Sequence, residues 1–250
     1  MTKLYFEKDE RSNPVGVSVT QKTPQKPDGT ALRGQYCVLE RLTLNHAAAL
    51  AEVLAGHDQN WVWLPYGPIH DASAMADWIK DQGLHDDPLF YVVKAPQTGK
   101  VMGVLSYLRI NPASCSIEVG HINFAPVMQK TPAATEAVFL MMKAAFEAGY
   151  RRFEWKCNAL NNKSCRTAER FGLSFEGVFR AATISKGRNR DTAWFAATES
   201  DWPSIRSAFE TWLSPDNFTP EGKQIKALSD LNRPHLVRQM ETSGYQFTER

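Results

Sequence analysis

The sequence predicts an α+β fold, one mixed and mostly antiparallel central sheet flanked by helices. Three observations predict it. The runs 89–95, 101–110 and 115–124 are strand-like and joined by short turns, Gln97-Thr98-Gly99-Lys100 and Asn111-Pro112, as in a meander. Helical patterns over 132–148 and 163–171 then alternate with a strand-like run at 152–157. Two further strand-like runs, 173–185 and 192–198, flank a polar turn at 186–191. Interleaved signals of this kind describe a sheet with helices packed on it.

Taken in order, residues 1–34 are rich in Lys, Pro, Thr and Asp and read as an extended arm. A strand is expected over 36–42, and Asn45 is the expected cap of a helix at 47–55. Trp61-Val62-Trp63-Leu64-Pro65-Tyr66-Gly67-Pro68 reads as an aromatic loop before a second helix at 72–82. After the meander the chain breaks at Ala125-Pro126 and restarts as a helix with Thr131 at its N-cap and Pro132 in its first turn. That helix ends at Gly149 and the next one at Gly172, since glycine closes a helix without a Cβ penalty. Asp201 caps a helix to about 213, and 214–250 reads as a tail or add-on helix. The expected organisation is an arm (1–34), a domain (35–213) and the tail (214–250).

Bulk properties exclude several classes. A 250-residue chain has room for one full core, and a formal net charge of +2 implies neither a nucleic-acid nor a membrane partner. The polar start predicts no secretory leader, and no run approaches a membrane span. Cys37, Cys115, Cys157 and Cys165 form no CxxC pair and read as reduced thiols of a cytoplasmic protein. No P-loop, GxGxxG or GxSxG is present, and the six histidines lack metal-ligand spacing, so no metal is expected.

The helix start at 131–134 is the first chemical signal. Its unpaired amides and the helix dipole favour an anion, and two alanines leave that turn unshielded. Gln129 and Lys130 precede it as further donors. An ordinary β–α unit has the same outline, so this stretch alone does not decide.

Four stretches in order add to it: Ile117-Glu118-Val119-Gly120, Gln129-Lys130-Thr131-Pro132-Ala133-Ala134, Asn161-Asn162-Lys163-Ser164, and Phe171-Gly172-Leu173-Ser174-Phe175-Glu176-Gly177. With these the chain resembles the GNAT superfamily of acyl-CoA-dependent N-acyltransferases from about residue 36 to 213, and within it the RimJ/RimL-type branch. The resemblance implies a GNAT fold and an N-acetyltransferase that moves the acetyl group of acetyl-CoA, without a metal, to a primary amine. That acceptor is a small molecule or a protein N-terminus, and a homodimer is compatible with the family.

The resemblance also implies roles. Residues 129–134, among them Gln129, Lys130, Thr131, Ala133 and Ala134, would bind the pyrophosphate. Pro132 stands where the family pattern has Gly and removes a donor, for which the Thr131 hydroxyl and Lys130 ammonium are the substitutes. Backbone groups from Phe124 to Val127 would pair with the pantetheine arm, as an edge strand does. Asn161 would hold that arm, although Asn starting a helix is also a cap. Ser164 would donate to the departing thiolate, or make a local helix bond. Four residues further, where many family members have Tyr as general acid, this chain has Ala168. A thiol pKa near ~8.5 makes the thiolate a fair leaving group unaided.

Glu118 is the candidate base. The period of two puts it on one strand face with Gly120, Ile122 and Phe124, and a carboxylate in an apolar strand needs a partner or a function. His121 follows on the other face and is a candidate for the acceptor site, or else a structural histidine of the core strand. Trp61, Trp63 and Tyr66 are candidate walls of an acceptor site, or else plugs of the core between two helices. An α-amine, near ~8, is neutral far more often at pH 7 than a lysine near ~10.4, and is the easier acceptor for a site with one base. The competing reading is a non-catalytic acyl-CoA-binding module, to which Pro132 and Ala168 point.

Overall fold

The computed structural model describes residues 5–20 and 22–240; the outer ends of the expected arm and tail, 1–4 and 241–250, and residue 21 lie outside it. In the arm, β1 (Phe6–Lys8) and β2 (Pro14–Gly16) form an exposed hairpin. The main sheet contains β3 (Leu32–Arg33), β4 (Val38–Arg41), β5 (Leu89–Lys94), β6 (Val101–Asn111), β7 (Ser116–Phe124), β8 (Arg152–Asn158), β9 (Ser174–Ser185) and β10 (Arg188–Thr198). Its spatial order is β3-β4-β5-β6-β7-β8-β10-β9. Only β7 and β8 run parallel; every other neighbouring pair is antiparallel. This is the mixed, mostly antiparallel sheet that the sequence predicts.

Helices α1 (Ala47–Leu54) and α2 (Ala72–Trp78) cover one face, and α3 (Pro132–Glu147), α4 (Asn162–Arg170), α5 (Trp202–Leu213) and α6 (Leu228–Asn232) the other. The β5–β6 part of the sheet is therefore buried on both sides. β5 shows the consequence: Leu89, Tyr91 and Val93 enter the α3 side while Phe90 and Val92 enter the α1 side, so the strand has no polar alternation. No helix among the described residues is long and apolar enough to cross a membrane.

Several local expectations change. Thr43, not Asn45, opens the first helical segment, where its N–H donates to His46 Nδ1 at 3.0 Å. The stretch expected as a tail or add-on helix carries the helix α6, whose Leu228 is fully buried and whose Asn232 donates to the Arg170 carbonyl at 2.9 Å. Buried Glu136 of α3 accepts the backbone N–H groups of Gln35, Tyr36 and Cys37 at 2.8, 2.6 and 2.8 Å. One carboxylate thus ties the start of the sheet to the central helix.

Two features of β7 build the site. Its parallel pairing with β8 runs only from Ser116↔Arg152 to Val119↔Trp155, although β7 continues to Phe124 and β8 to Asn158. Beyond Val119 the two strands part. The β6 ladder also slips between Gly120 and Asn123, where His121 has φ +52°, a left-handed conformation that marks a bulge. The period of two therefore fails here. Ile117 and Val119 face the α3 side before the bulge, but Ile122 and Phe124 face it afterwards. Glu118 shares a face with Gly120, as expected, and not with Ile122 or Phe124.

Candidate active site

The parting of β7 and β8 opens the sheet to two clefts, each of about 600 Å³. Asn60, Ile122, Trp155, Asn161 and Ser164 line both, so the clefts meet at the fork.

The cleft on the α3–α4 side contains Phe124, Gln129, Lys130, Thr131, Ala134, Asn161 and Ser164 from the sequence-based set. Lys130 has φ +63°, so the chain turns tightly into α3. No side chain caps that helix: the Thr131 hydroxyl turns back to the Met128 carbonyl at 2.6 Å. Its first-turn amides at Ala133 and Ala134 are left for a ligand. Val127 is largely exposed and Ala133 is buried, and the side chain of neither lines this cleft. Gln129 is not a spare donor. Its amide donates to the Phe124 carbonyl at 2.8 Å, which also accepts from Asn60 at 3.0 Å. That carbonyl is consequently already satisfied at the point where the strand was expected to offer it to a ligand.

Two residues of this cleft escaped sequence reasoning. Arg170 lines it, bonded to the Thr135 hydroxyl at 3.1 Å and stacked over Trp212, with no carboxylate ion-paired to it among the described residues. Burial pulls the Arg170 pKa down to about 10. Asn123 is buried with neither amide atom hydrogen-bonded, and lines the same cleft. Helical spacing from Lys163 and Thr167 places Arg170 on their face; only the bulge decides where Asn123 lies. Open amides, Lys130, Lys163 and Arg170 fit a phosphate-bearing ligand, and the Asn123 and Asn161 amides fit an arm with peptide-like groups.

Asn161 caps α4 and also faces the clefts. Its Oδ1 accepts from Ser164 N–H at 3.2 Å as a cap, while its side chain lines both clefts. The Ser164 oxygen accepts from the Trp155 indole at 2.9 Å, and its own O–H is a donor beside the buried Cys157 thiol. Ala168, at the family's Tyr position, is fully buried.

The second cleft holds Glu118, His121 and Trp63. Glu118 lies opposite Glu154 across the parallel pair, and Lys156 bridges them at 3.0 and 2.7 Å. Arg109, more than half exposed, closes on Glu118 at 3.2 Å. The carboxylate is thus both candidate base and ion-pair member. Burial holds its pKa above the ordinary range, against the pull of Arg109 and Lys156. Lys156 also sits 3.7 Å from the centre of the Trp194 ring.

His121 stacks on Tyr66 and meets its hydroxyl at 3.2 Å. Burial, with Arg109 and Arg190 adding, lowers its pKa to about 4, so the imidazole is neutral at pH 7. Of the three aromatic candidates only Trp63 lines the cleft. Trp61 is buried in the α1–α2 core, edge-on to Tyr66, and the side chain of Tyr66 acts behind His121 rather than as wall. The reason is spacing: a loop following a short helical turn alternates inward and outward faces in a way that composition does not reveal. Among the described residues no group of His, Cys, Asp and Glu side chains could hold a metal.

A family model described as an acetyltransferase (GNAT) domain matches residues 37–174. A solved GCN5-related N-acetyltransferase from Brucella melitensis is 40% identical, covers 86% of this chain and 100% of its own, and superposes with a TM-score of 0.83. A probable GNAT-family acetyltransferase from Chromobacterium violaceum is also 40% identical, over 77% of this chain and 100% of its own, with a TM-score of 0.71. RimL, titled a ribosomal L7/L12 α-N-protein acetyltransferase, shares the fold at 19% identity and TM-score 0.59, over 67% of this chain and 93% of its own. No match is found among curated proteins. The family model spans more than half of the chain and the Brucella relative matches it in sequence as well as shape, so the chain belongs to the GNAT family of acetyltransferases.

Proposed function

We propose that this chain moves the acetyl group of acetyl-CoA to a primary amine by direct attack, with the cofactor entering from the α3–α4 cleft and the amine from the Glu118 cleft. The observation that carries this reading is that the two clefts meet at the β7–β8 fork, with Asn161 and Ser164 lining both. Bound acetyl-CoA supplies an acetyl thioester there. Lys130, Arg170 and the Ala133 and Ala134 amides hold its phosphates; Asn123 and Asn161 hold its arm. Arg170 supplies the charge that compensates for the donor lost at Pro132.

Glu118 takes the amine proton, directly or through water, so that the nitrogen lone pair is free to attack the thioester carbon. Its raised pKa makes it a better base than an exposed carboxylate, while the two cations favour its ionised form. As the carbon–sulfur bond breaks, the Ser164 O–H donates to the sulfur. The Asn161 amide steadies the arm beside it. His121, neutral, forms an uncharged wall next to the attacking nitrogen.

Membership of the RimJ/RimL-type branch and an α-amine acceptor belong to this proposal. They rest on the four sequence stretches and the pKa argument, since the likeness to RimL itself is one of fold. A cytoplasmic location rests on the four free cysteines.

The test is thermal melting with acetyl-CoA and, separately, with ATP as a phosphate control, followed by thiol release over an amine panel. Ligand at ~100 times its Kd adds ~2.7 kcal/mol, roughly 5–10 °C for this chain length. A shift with acetyl-CoA alone and amine-dependent thiol release support the proposal. Binding without release from any amine supports the non-catalytic module instead.

A further inference from the structure

Three strand irregularities converge on the Glu118 cleft. Arg109 adopts φ +46° where the β6–β7 ladder slips between Leu108 and Asn111. His121 sits in the bulge of β7. The β9–β10 ladder slips between Arg190 and Thr192, across from Ala181 at φ +48°. Bulges re-aim side chains, and here each brings a nitrogen-bearing group to one cavity.

The charges there do not balance. Glu118 is the one carboxylate lining the cleft among the described residues, against Arg109, Lys156 and Arg190. Arg109 and Lys156 are both committed to Glu118, and Lys156 to Glu154 as well. Asp191, next to Arg190, is turned away: its Oδ1 accepts from the Ala181 N–H at 2.7 Å and from Asn189 at 3.1 Å. Arg190 therefore has no ion-pair partner among the described residues, and its Nε is buried without a hydrogen bond. A buried, unpaired guanidinium donor costs stability unless a ligand answers it. A guanidinium fork is matched by the oxygen pair of a carboxylate or phosphate. A purely cationic acceptor such as a polyamine would meet like charge on three sides.

Resting on the acetyltransferase reading above, we infer that the acceptor is an amine that also carries an oxyanion, a carboxylate or a phosphate, and that Arg190 holds that group while Glu118 takes the amine proton. The two ends of the acceptor are thereby read by groups of opposite sign, which sets its orientation at the fork. Arg190 is a specificity-determining residue and touches the acceptor away from the reacting nitrogen.

The experiment measures thiol release from acetyl-CoA with matched amines: L-amino acids against their carboxamides, and O-phosphoethanolamine against ethanolamine. The expected result is a kcat/KM at least about tenfold higher for the anionic member of a pair, with the carboxylate or phosphate arm naming the anion. Arg190→Gln is expected to lower that preference by about 10- to 100-fold, through KM more than kcat, as loss of one charge-assisted pair does. Arg190→Lys should keep part of it. Arg188→Gln, a charge change in the same hairpin outside the cleft, should leave the preference where it is. Neutral amines used as well as anionic ones, or an Arg190→Gln loss in equal proportion for both, overturns the inference alone. No thiol release in any arm overturns the acetyltransferase reading, and this inference with it.

Discussion

Replacing Lys156 with Met tests the charge network at the fork. Lys156 is 5% exposed and Glu118 4%, so Met fills the same volume without the ammonium. At 3.0 Å, with an effective dielectric of ~20, the Lys156–Glu118 attraction is bounded by about 5 kcal/mol. Arg109 remains on the same carboxylate at 3.2 Å, so part of the opposing pull survives, and the Glu118 pKa moves further up as burial is less well opposed. The sign follows from which form the ammonium favours: without it the ionised carboxylate loses support and faces Glu154 across the strand pair. Stability should fall by about 2–4 kcal/mol, because removing one partner of a buried pair strands the other, while Arg109 and Arg152 still answer the two carboxylates. Carboxyl-carbon NMR on glutamate-labelled protein, with Glu118→Gln to identify the resonance, reads the titration midpoint; thermal melting reads the stability. Turnover below neutrality should fall with the same midpoint, since a protonated carboxyl has no place for the amine's proton. A midpoint that stays or moves down would refute the reasoning, and Lys156 would not then be what favours the carboxylate form of Glu118.

The remaining predictions concern single residues. Glu118→Gln is expected to lower kcat by about 10²- to 10⁴-fold with little change in acetyl-CoA affinity; equal rates across a pH series would remove Glu118 from the base role. Burial lowers the His121 pKa from 6.5 to about 4, so the folded state resists protonation and its stability is fully present above pH 6.5. That stability, about 3 kcal/mol at most, is lost as pH falls from 6.5 to about 4, and His121→Phe should flatten this part of the denaturation-versus-pH curve. Glu136→Ala leaves three N–H groups without their acceptor and should cost about 3–5 kcal/mol in urea unfolding, against roughly half that for Glu136→Gln; equal losses would mean that the lost packing dominates.

How far the sequence reached can be read residue by residue. Local signals carried the architecture. The apolar runs of the meander, Thr131-Pro132 at a helix start and glycines at 149 and 172 after helix ends act within a few residues of themselves, so the element order was legible. The start of α3 at Thr131-Pro132, Asn161 and Ser164 at the start of α4, and Glu118 as a carboxylate in a buried strand were legible for the same reason; that the Thr131 hydroxyl leaves α3 uncapped was not. What sequence could not supply was anything set by contacts between distant segments. The bulge at His121 reverses the faces of β7 and puts Asn123 in an unpaired buried position. Trp61 went to the core and Trp63 to the cleft by the packing of a loop on two helices. Arg170, Lys156 and Arg190 look like ordinary surface charges when read in line. They become site residues only because β8, α4 and β10 converge at the fork. Periodicity describes the faces of one element; where two elements part, and which charges are left without partners there, is a property of the assembled sheet.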